Sequence, residues 1–224
     1  MATMSESAEL IEWANGLMHS PQATSKRQRN QRGEGARLKD ELIDAAMRIL
    51  DRSPDASLSL RMVAKEADVA APSVYRHFVD VRAMMAEIVR TCWTQMGEHL
   101  VNARSNSGTT TMLEHLKAQM AAYVRYAMER PSRYQLLFAG SYDPEHDIDG
   151  PLRPAFRPIR ETIEAIAASG GKVPDEDSFT SALRVISLAH GRIALAHLAP
   201  LRPGNFAPDV EAFVLDALEP MFAN

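Results

Sequence analysis

The chain holds a single cysteine, Cys92, in 224 residues, which excludes a disulfide within it and suits a reducing compartment. No apolar run approaches the ~18 residues that a membrane-spanning helix needs. The first residues, M-A-T-M-S-E-S-A-E-L, have neither the basic start nor the apolar stretch of a secretory signal. A cytoplasmic chain without membrane contact is expected. Catalytic signatures are missing as well: there is no G-x-S-x-G, no glycine-rich phosphate loop and no C-x-x-C. The seven histidines contain no H-x-x-x-H pair, so no metal ligand set is read, and no cofactor. Asp147 and Asp149 fall in a polar stretch and read as solvated carboxylates. No segment has the period-2 alternation of a strand, so the expectation is an all-α protein that is not an enzyme.

What the chain does contain is concentrated in residues 59 to 78, S-L-R-M-V-A-K-E-A-D-V-A-A-P-S-V-Y-R-H-F. Leu60, Val63, Ala64 and Ala67 fall at i, i+3, i+4 and i+7, the apolar stripe of a first short helix. Ser59 is placed to cap it, because a hydroxyl there accepts from an otherwise unpaired N–H. Val69 is an apolar plug in the turn. Pro72 suits a first helical position, where its missing N–H costs nothing, and Val74 and Phe78 recur four apart on the second helix. A longer helix, Ala36 to Arg52, precedes the pair, with Leu38, Leu42, Ala45, Ala46, Ile49 and Leu50 as its buried face. Ser53-Pro54-Asp55 ends it. Ser73, Tyr75, Arg76 and His77 are left over near the start of the second short helix, where side chains can reach base edges and phosphates. By periodicity alone, any three-helix bundle contains a helix–turn–helix of this size.

The stretch from Leu38 to Ile88 resembles the N-terminal domain of the TetR family of transcriptional regulators. The carrying motifs are L-I-D-A-A-M-R-I-L, S-L-R-M-V-A-K-E-A-D-V, A-P-S-V-Y-R-H-F and the following A-M-M-A-E-I-V. The resemblance implies that Ser59 and Arg61 lie near the DNA backbone. It implies that Ala71, Pro72, Ser73 and Arg76 face the major groove and that Tyr75 and His77 hold phosphates. The chain departs from the family's pattern at two positions. Asp68 stands where the turn usually has glycine, a residue that tolerates a left-handed backbone at modest cost. Val81 stands where a phosphate-binding lysine is common, with Arg82 beside it as the substitute.

The net charge of −4 divides unevenly. Between Lys26 and Arg90 there are thirteen Lys plus Arg against ten Asp plus Glu, whereas the remainder of the chain is acidic. Within the basic part, K-R-Q-R-N-Q-R-G-E-G-A-R brings Lys26, Arg27, Arg29 and Arg32 onto a flexible arm, read as a phosphate or minor-groove contact or as a solvated linker. Before it, Ser7 to Met18 places Leu10, Ile11, Ala14, Leu17 and Met18 on one helical face of unassigned role. The expected domains are an extension over 1–25, the basic arm with the helix-turn-helix over 26–84, and a helical effector-binding and dimerisation domain over 85–224.

Helices are expected over Val81–Arg104, Thr111–Glu129, Ser132–Phe138, Pro154 or Pro158 to Ala168, Asp175–Leu198 and Pro208–Phe222. The second of these is apolar on most sides and is expected at the centre. The last two carry apolar stripes, Ala182, Val185, Ala189, Ile193 and Ala196 on one and Phe213, Val214 and Ala217 on the other. These pack either on a twofold mate, as the resemblance implies, or on the chain's own core. Trp93, Met96, Met120, Tyr123, Tyr126, Phe138, Tyr142 and Phe156 supply more aromatic and thioether groups than a tight bundle needs. With His190 as a polar anchor, and His115 and His146 as further ones, they form the expected pocket for a small hydrophobic effector, the alternative being ordinary core. The segment M-E-R-P-S-R-Y-Q-L-L-F and the later A-H-G also resemble the effector domain of a large TetR subgroup. Cys92 reads as core or as a redox sensor. The expected function is a homodimeric regulator, a repressor of a palindromic double-stranded DNA operator released by an apolar ligand. Two other classes remain: an all-helical protein-interaction module, and a small-molecule-binding protein without regulation.

Overall fold

Short capping side chains and prolines set most of the helix starts in the computed structural model, which describes residues 34–53, 57–108, 111–139, 153–198 and 209–222. Nine helices are found among them: α1 (Glu34–Arg52), α2 (Leu60–Glu66), α3 (Ala71–Tyr75), α4 (Val81–Ser105), α5 (Met112–Glu129), α6 (Pro131–Ala139), α7 (Arg153–Ala168), α8 (Ser178–Leu198) and α9 (Val210–Phe222). The described residues contain no strand. No described helix is long and apolar enough to cross a membrane. The chain separates into two units, Met1–Arg37 and Leu38–Asn224. Only the start of α1 is described in the first, so the basic arm with Lys26, Arg27, Arg29 and Arg32 lies outside the described residues, as do Tyr142, His146, Asp147 and Asp149.

Asp80 caps α4 by accepting from the Ala83 N–H at 2.7 Å, and Thr111 caps α5 by accepting from the Glu114 N–H at 3.4 Å. At the other end of α7, Gly170 takes φ +78° and the Gly171 N–H returns to the Ile166 carbonyl at 3.0 Å. A left-handed residue there satisfies carbonyls that the helix leaves open. Pro158 lies inside α7 rather than at its start. Its buried carbonyl is used all the same, accepting from Gln119 Nε2 and Thr162 Oγ1, both at 3.1 Å.

Leu42, Ala45, Ala46, Val63, Val74 and Phe78 close the core of the first three helices, and Met84 and Ile88 continue it along α4. α5 is central as expected: it packs against α4, α6, α7, α8 and α9. Leu116, Met120, Tyr123, Val124 and Ala127 are all buried on it, and burial of each large side chain is worth roughly 1.5–3 kcal/mol. Cys92 is part of this core, with its Sγ 4.0 Å from Met47 Sδ. Burial pushes its thiol pKa up, away from the reactive thiolate that a redox sensor needs.

Candidate functional site

The turn between α2 and α3 begins at Asp68, whose φ of +52° is left-handed. Its backbone is the one that glycine would adopt without cost, and the short polar side chain tolerates it. Ser59 caps α2, accepting from the Met62 N–H at 3.2 Å. Val69 is half-buried and packs on the core, so the plug between the two helices is in place. α3 is shorter than the spacing suggests. It ends at Tyr75, with Arg76 as its C-terminal cap and the His77 and Phe78 N–H groups both bonded to the Val74 carbonyl at 2.9 and 3.0 Å.

This construction leaves one polar face. Val74 and Phe78 are buried, whereas Arg61, Pro72, Tyr75, Arg76 and Arg82 are exposed, and Ala71, Ser73 and His77 are half-buried. Arg76 Nη2 donates to Ser73 Oγ at 3.0 Å, which holds the guanidinium beside the start of α3. Behind the motif, Glu66 accepts from Arg48 at 3.1 Å and from Arg52 at 2.5 Å, and these hydrogen bonds lower its pKa to about 2. That pair of arginines is therefore committed to holding α2 on α1, and Arg61 of α2, Arg76 after α3 and Arg82 of α4 supply positive charge at the exposed face.

A second constellation lies among α4, α5, α6 and α8. Tyr134 of α6 is at its centre, its hydroxyl 3.0 Å from that of Tyr123 and 2.8 Å from His190 Nδ1. Phe138, one turn on, stacks against Trp93, Tyr134 and His190, with ring centroids 5.5, 5.1 and 4.1 Å apart. His197, seven residues after His190, meets the Tyr134 ring edge-on at 5.8 Å. Burial pushes the Tyr123 hydroxyl up to about 12 and the Tyr134 hydroxyl further still. Burial, and for His190 also the neighbouring His197, holds both imidazoles below their ordinary value. The group is thus a neutral network at pH 7. Trp93 Nε1 and His197 Nε2 are buried without a hydrogen-bond partner among the described residues.

Of the residues expected to line an effector pocket, Trp93, Tyr123, Phe138 and His190 come together here. Met96 and Met120 are fully buried. Tyr126 faces elsewhere, carrying His99 and Arg130 on its ring, and Phe156 pairs with Phe179. His115 lies on α5. Tyr134 and His197 were not among the expected residues. The readable signals were the four-residue spacing of Tyr134 and Phe138 and the seven-residue spacing of His190 and His197.

Of the interface residues expected on α8 and α9, most are turned into this chain's own core. Ala182, Val185, Ala189, Ile193 and Val214 are fully buried within this chain, and Ala196 and Ala217 are half-buried. A residue that meets a partner must be exposed in the separate protomer, so this stripe closes the protomer's own core. α8 carries a second stripe. Phe179, Leu183, Ser187, Gly191 and Leu195 recur every four residues and are all exposed, with Leu198 beyond them. Phe213 of α9, alone among the expected interface residues, is strongly exposed, with the Arg192 guanidinium over its ring at 5.5 Å.

Comparison with known proteins matches two family models to this chain. Residues 42–88 match the model of bacterial regulatory proteins of the tetR family, and residues 116–220 match a tetracyclin repressor-like C-terminal domain. A helix-turn-helix-type transcriptional regulator of Bacillus subtilis strain 168, YobS, itself uncharacterised, is 27% identical over 110 residues, 48% of this chain. The chain spans about half, 54%, of that relative's length. Among solved structures, a protein of unknown function from Rhodococcus sp. RHA1 superposes with a TM-score of 0.73 at 21% identity, covering 88% of this chain and 100% of the other. A TetR-family transcriptional regulator from Streptomyces coelicolor superposes with a TM-score of 0.60, also at 21% identity, covering 84% and 96%. At these identities the structures share the fold with this chain.

Proposed function

The chain belongs to the TetR family of transcriptional regulators, and from that premise we propose that it represses a palindromic operator as a homodimer and is released by a small apolar effector. Members of the family are DNA-binding regulators rather than enzymes. The observation that carries the reading is the division of α3 and the turn after it: Val74 and Phe78 anchor the motif, and Ser73, Tyr75, Arg76 and His77 are left for DNA. Arg61, Pro72, Ala71 and Arg82 extend that surface, and the arm residues Lys26, Arg27, Arg29 and Arg32 add phosphate or minor-groove contacts. The functional division runs at 26–84 for DNA and 85–224 for effector and partner. Such a protein acts in the cytoplasm, where the operator is.

The exposed line of Phe179, Leu183, Ser187, Gly191 and Leu195 supports a dimer built through α8 and α9. Residues four apart form a ridge that packs into the same ridge of a symmetry mate, and Gly191 gives the second backbone room to approach. Two recognition helices about one DNA turn apart then read a palindrome. Ligand response is read from the Trp93, Tyr123, Tyr134, Phe138 and His190 cluster. α4 carries Trp93 and begins next to α3, so a ligand that favours one tilt of α4 biases the spacing of the recognition helices. It does so only by binding the two tilts unequally.

Selection of binding sites from a random duplex pool, followed by a salt titration of the enriched site, tests this reading. A palindromic consensus whose affinity falls steeply with salt is expected. Failure to enrich any sequence, both as purified and after unfolding and refolding to strip ligand, overturns it.

A further inference from the structure

On α4, Gln95, Glu98, His99 and Asn102 fall at i, i+3, i+4 and i+7, a polar stripe on one side of the helix. Opposite them stand Arg130 and Arg133, at the corner where α5 gives way to α6. Together they line a groove of about 310 Å³, the lower end of the size that small-ligand sites occupy. Its donors are held in place from beneath. The Tyr126 ring, 2% exposed, carries the Arg130 guanidinium at 5.4 Å and the His99 ring at 5.5 Å. Donors fixed before a ligand arrives lose little freedom on binding it.

The groove carries more positive than negative charge, and its amides and imidazole can turn N–H groups toward a ligand. Two guanidiniums, two amides and an imidazole face one carboxylate, Glu98. The pair of Arg130 with its neighbour Glu129 is long, at 3.4 Å, and exposed, so it contributes little. Arg133 is engaged differently. Its Nε lies 3.0 and 3.1 Å from the two Asp51 oxygens and its Nη2 2.6 Å from Oδ2. Asp51 stands in the last turn of α1, the helix that leads into the DNA-binding motif. Arg133 is thus at once a wall of the groove and the clasp between α6 and α1. A planar guanidinium fork suits both carboxylate and phosphate oxygens, so an anion seated between Arg130 and Arg133 competes with Asp51 for the Arg133 fork.

We propose that this groove binds a small multiply charged oxyanion, a phosphate monoester or a polycarboxylate, whose seating draws Arg133 from Asp51 and loosens α1 from α6. The site is distinct from the neutral cluster around Tyr134. Arg133 and Tyr134 are consecutive on α6 and point about 100° apart around its axis, one to Asp51 and the other to His190.

Isothermal titration calorimetry of the full chain at fixed ionic strength, with adenosine 5′-monophosphate and with citrate, tests the site and separates the two sources. Saturable binding of one probe is expected, weakened about tenfold by Arg130→Gln, which deletes a charge-assisted contact. His99→Ala is expected to weaken it less, and it carries the test should Arg130→Gln fail to fold by circular dichroism. Asp51→Asn removes the competitor and is expected to tighten binding several-fold. The absence of saturable binding of either probe to both the native chain and Asp51→Asn overturns the proposal, as does binding that neither Arg130→Gln nor His99→Ala weakens. The coupling is read separately, as operator affinity with and without the probe at matched ionic strength, and this arm rests on the DNA-binding reading above. Unchanged operator affinity overturns the coupling and leaves the site standing. A chain that binds no operator refutes the DNA reading, with calorimetry still deciding the site.

Discussion

Tyr75 on α3 is 53% exposed, whereas Tyr134 on α6 is 2% exposed and lies between Tyr123 and His190. The same side chain is put to opposite uses in the two halves of the molecule. Around α3 the core is closed by Leu60, Val63, Val74 and Phe78, so the polar and aromatic groups left outside are surplus to folding. Among α4, α5, α6 and α8 the Trp93, Tyr123 and Tyr134 rings are themselves core, the half-buried His190 and the exposed Phe138 lie at its edge, and the Tyr123, Tyr134 and His190 polar groups satisfy one another. A side chain in the first region can be changed at the expense of recognition alone. In the second, the effector contact proposed above would draw on the same atoms that stabilise the fold.

The strongest way to break this contrast is the pair Arg76→Ala with Tyr75→Phe. Operator affinity is expected to fall about 100-fold, from the loss of one base or phosphate contact and weakening of another, each worth roughly 1–3 kcal/mol. Thermal stability is expected to stay within about 0.5 kcal/mol, because both groups are exposed. Unchanged affinity in an anisotropy titration would remove α3 from the DNA surface.

Tyr134→Phe makes the same chemical change as Tyr75→Phe in the other region. It strands the Tyr123 hydroxyl and His190 Nδ1, and a loss of about 1–3 kcal/mol in a denaturant titration is expected. Equal effects at positions 75 and 134 would erase the difference between the two regions. For the surface stripe, Leu195→Glu is expected to shift a dimer toward monomer in sedimentation, whereas Leu195→Met is expected to leave it intact.

Acid sharpens the comparison further. His190 and His197 have folded pKa values below the ordinary 6.5, so the unfolded chain takes up protons first as pH falls. Their contribution to stability is present above about pH 6.5 and is lost as pH drops through the folded values. The melting temperature is expected to decline between about pH 7 and about pH 5, with a smaller decline in His190→Gln. The lowered carboxylates Glu66, Glu87, Asp175 and Asp177 lose their contribution only below their ordinary values of 4.5 and 3.8, outside that window. The smallest effect concerns Asp68. Asp68→Gly relieves the left-handed backbone but loosens the unfolded chain, for a net gain of under about 1 kcal/mol by melting.

The helix-turn-helix was legible because each of its parts is local. A serine cap, a residue able to turn left-handed and a proline at a helix start act within four residues of themselves. The apolar spacing then sorts inside from outside when a helix has only one buried face. α3 differs in length from the spacing because Phe78 still reaches the core from the turn after the helix, through its N–H bond to Val74. The C-terminal helices defeat the same reasoning. α8 has two apolar stripes, and a 3.6-residue period marks both without saying which one the chain covers itself. Ala182, Val185, Ala189 and Ile193 fit against α5, α7 and α9, and that choice left Phe179, Leu183 and Leu195 outside.

By itself, the sequence determined the class of the protein, the inward Val74 and Phe78 and the outward Tyr75 and Arg76 of the helix-turn-helix, the central position of α5 and the ends of most helices, since those rest on caps, turns and periodicity within single segments. Only the tertiary structure decided the rest. It brought Tyr134 between Tyr123 and His190, set Arg133 against Asp51, and turned one apolar stripe of α8 inward and the other out. Each of these joins residues from different helices. Contacts of that kind follow from how whole helix faces pack together, a competition among several apolar surfaces that no single segment encodes.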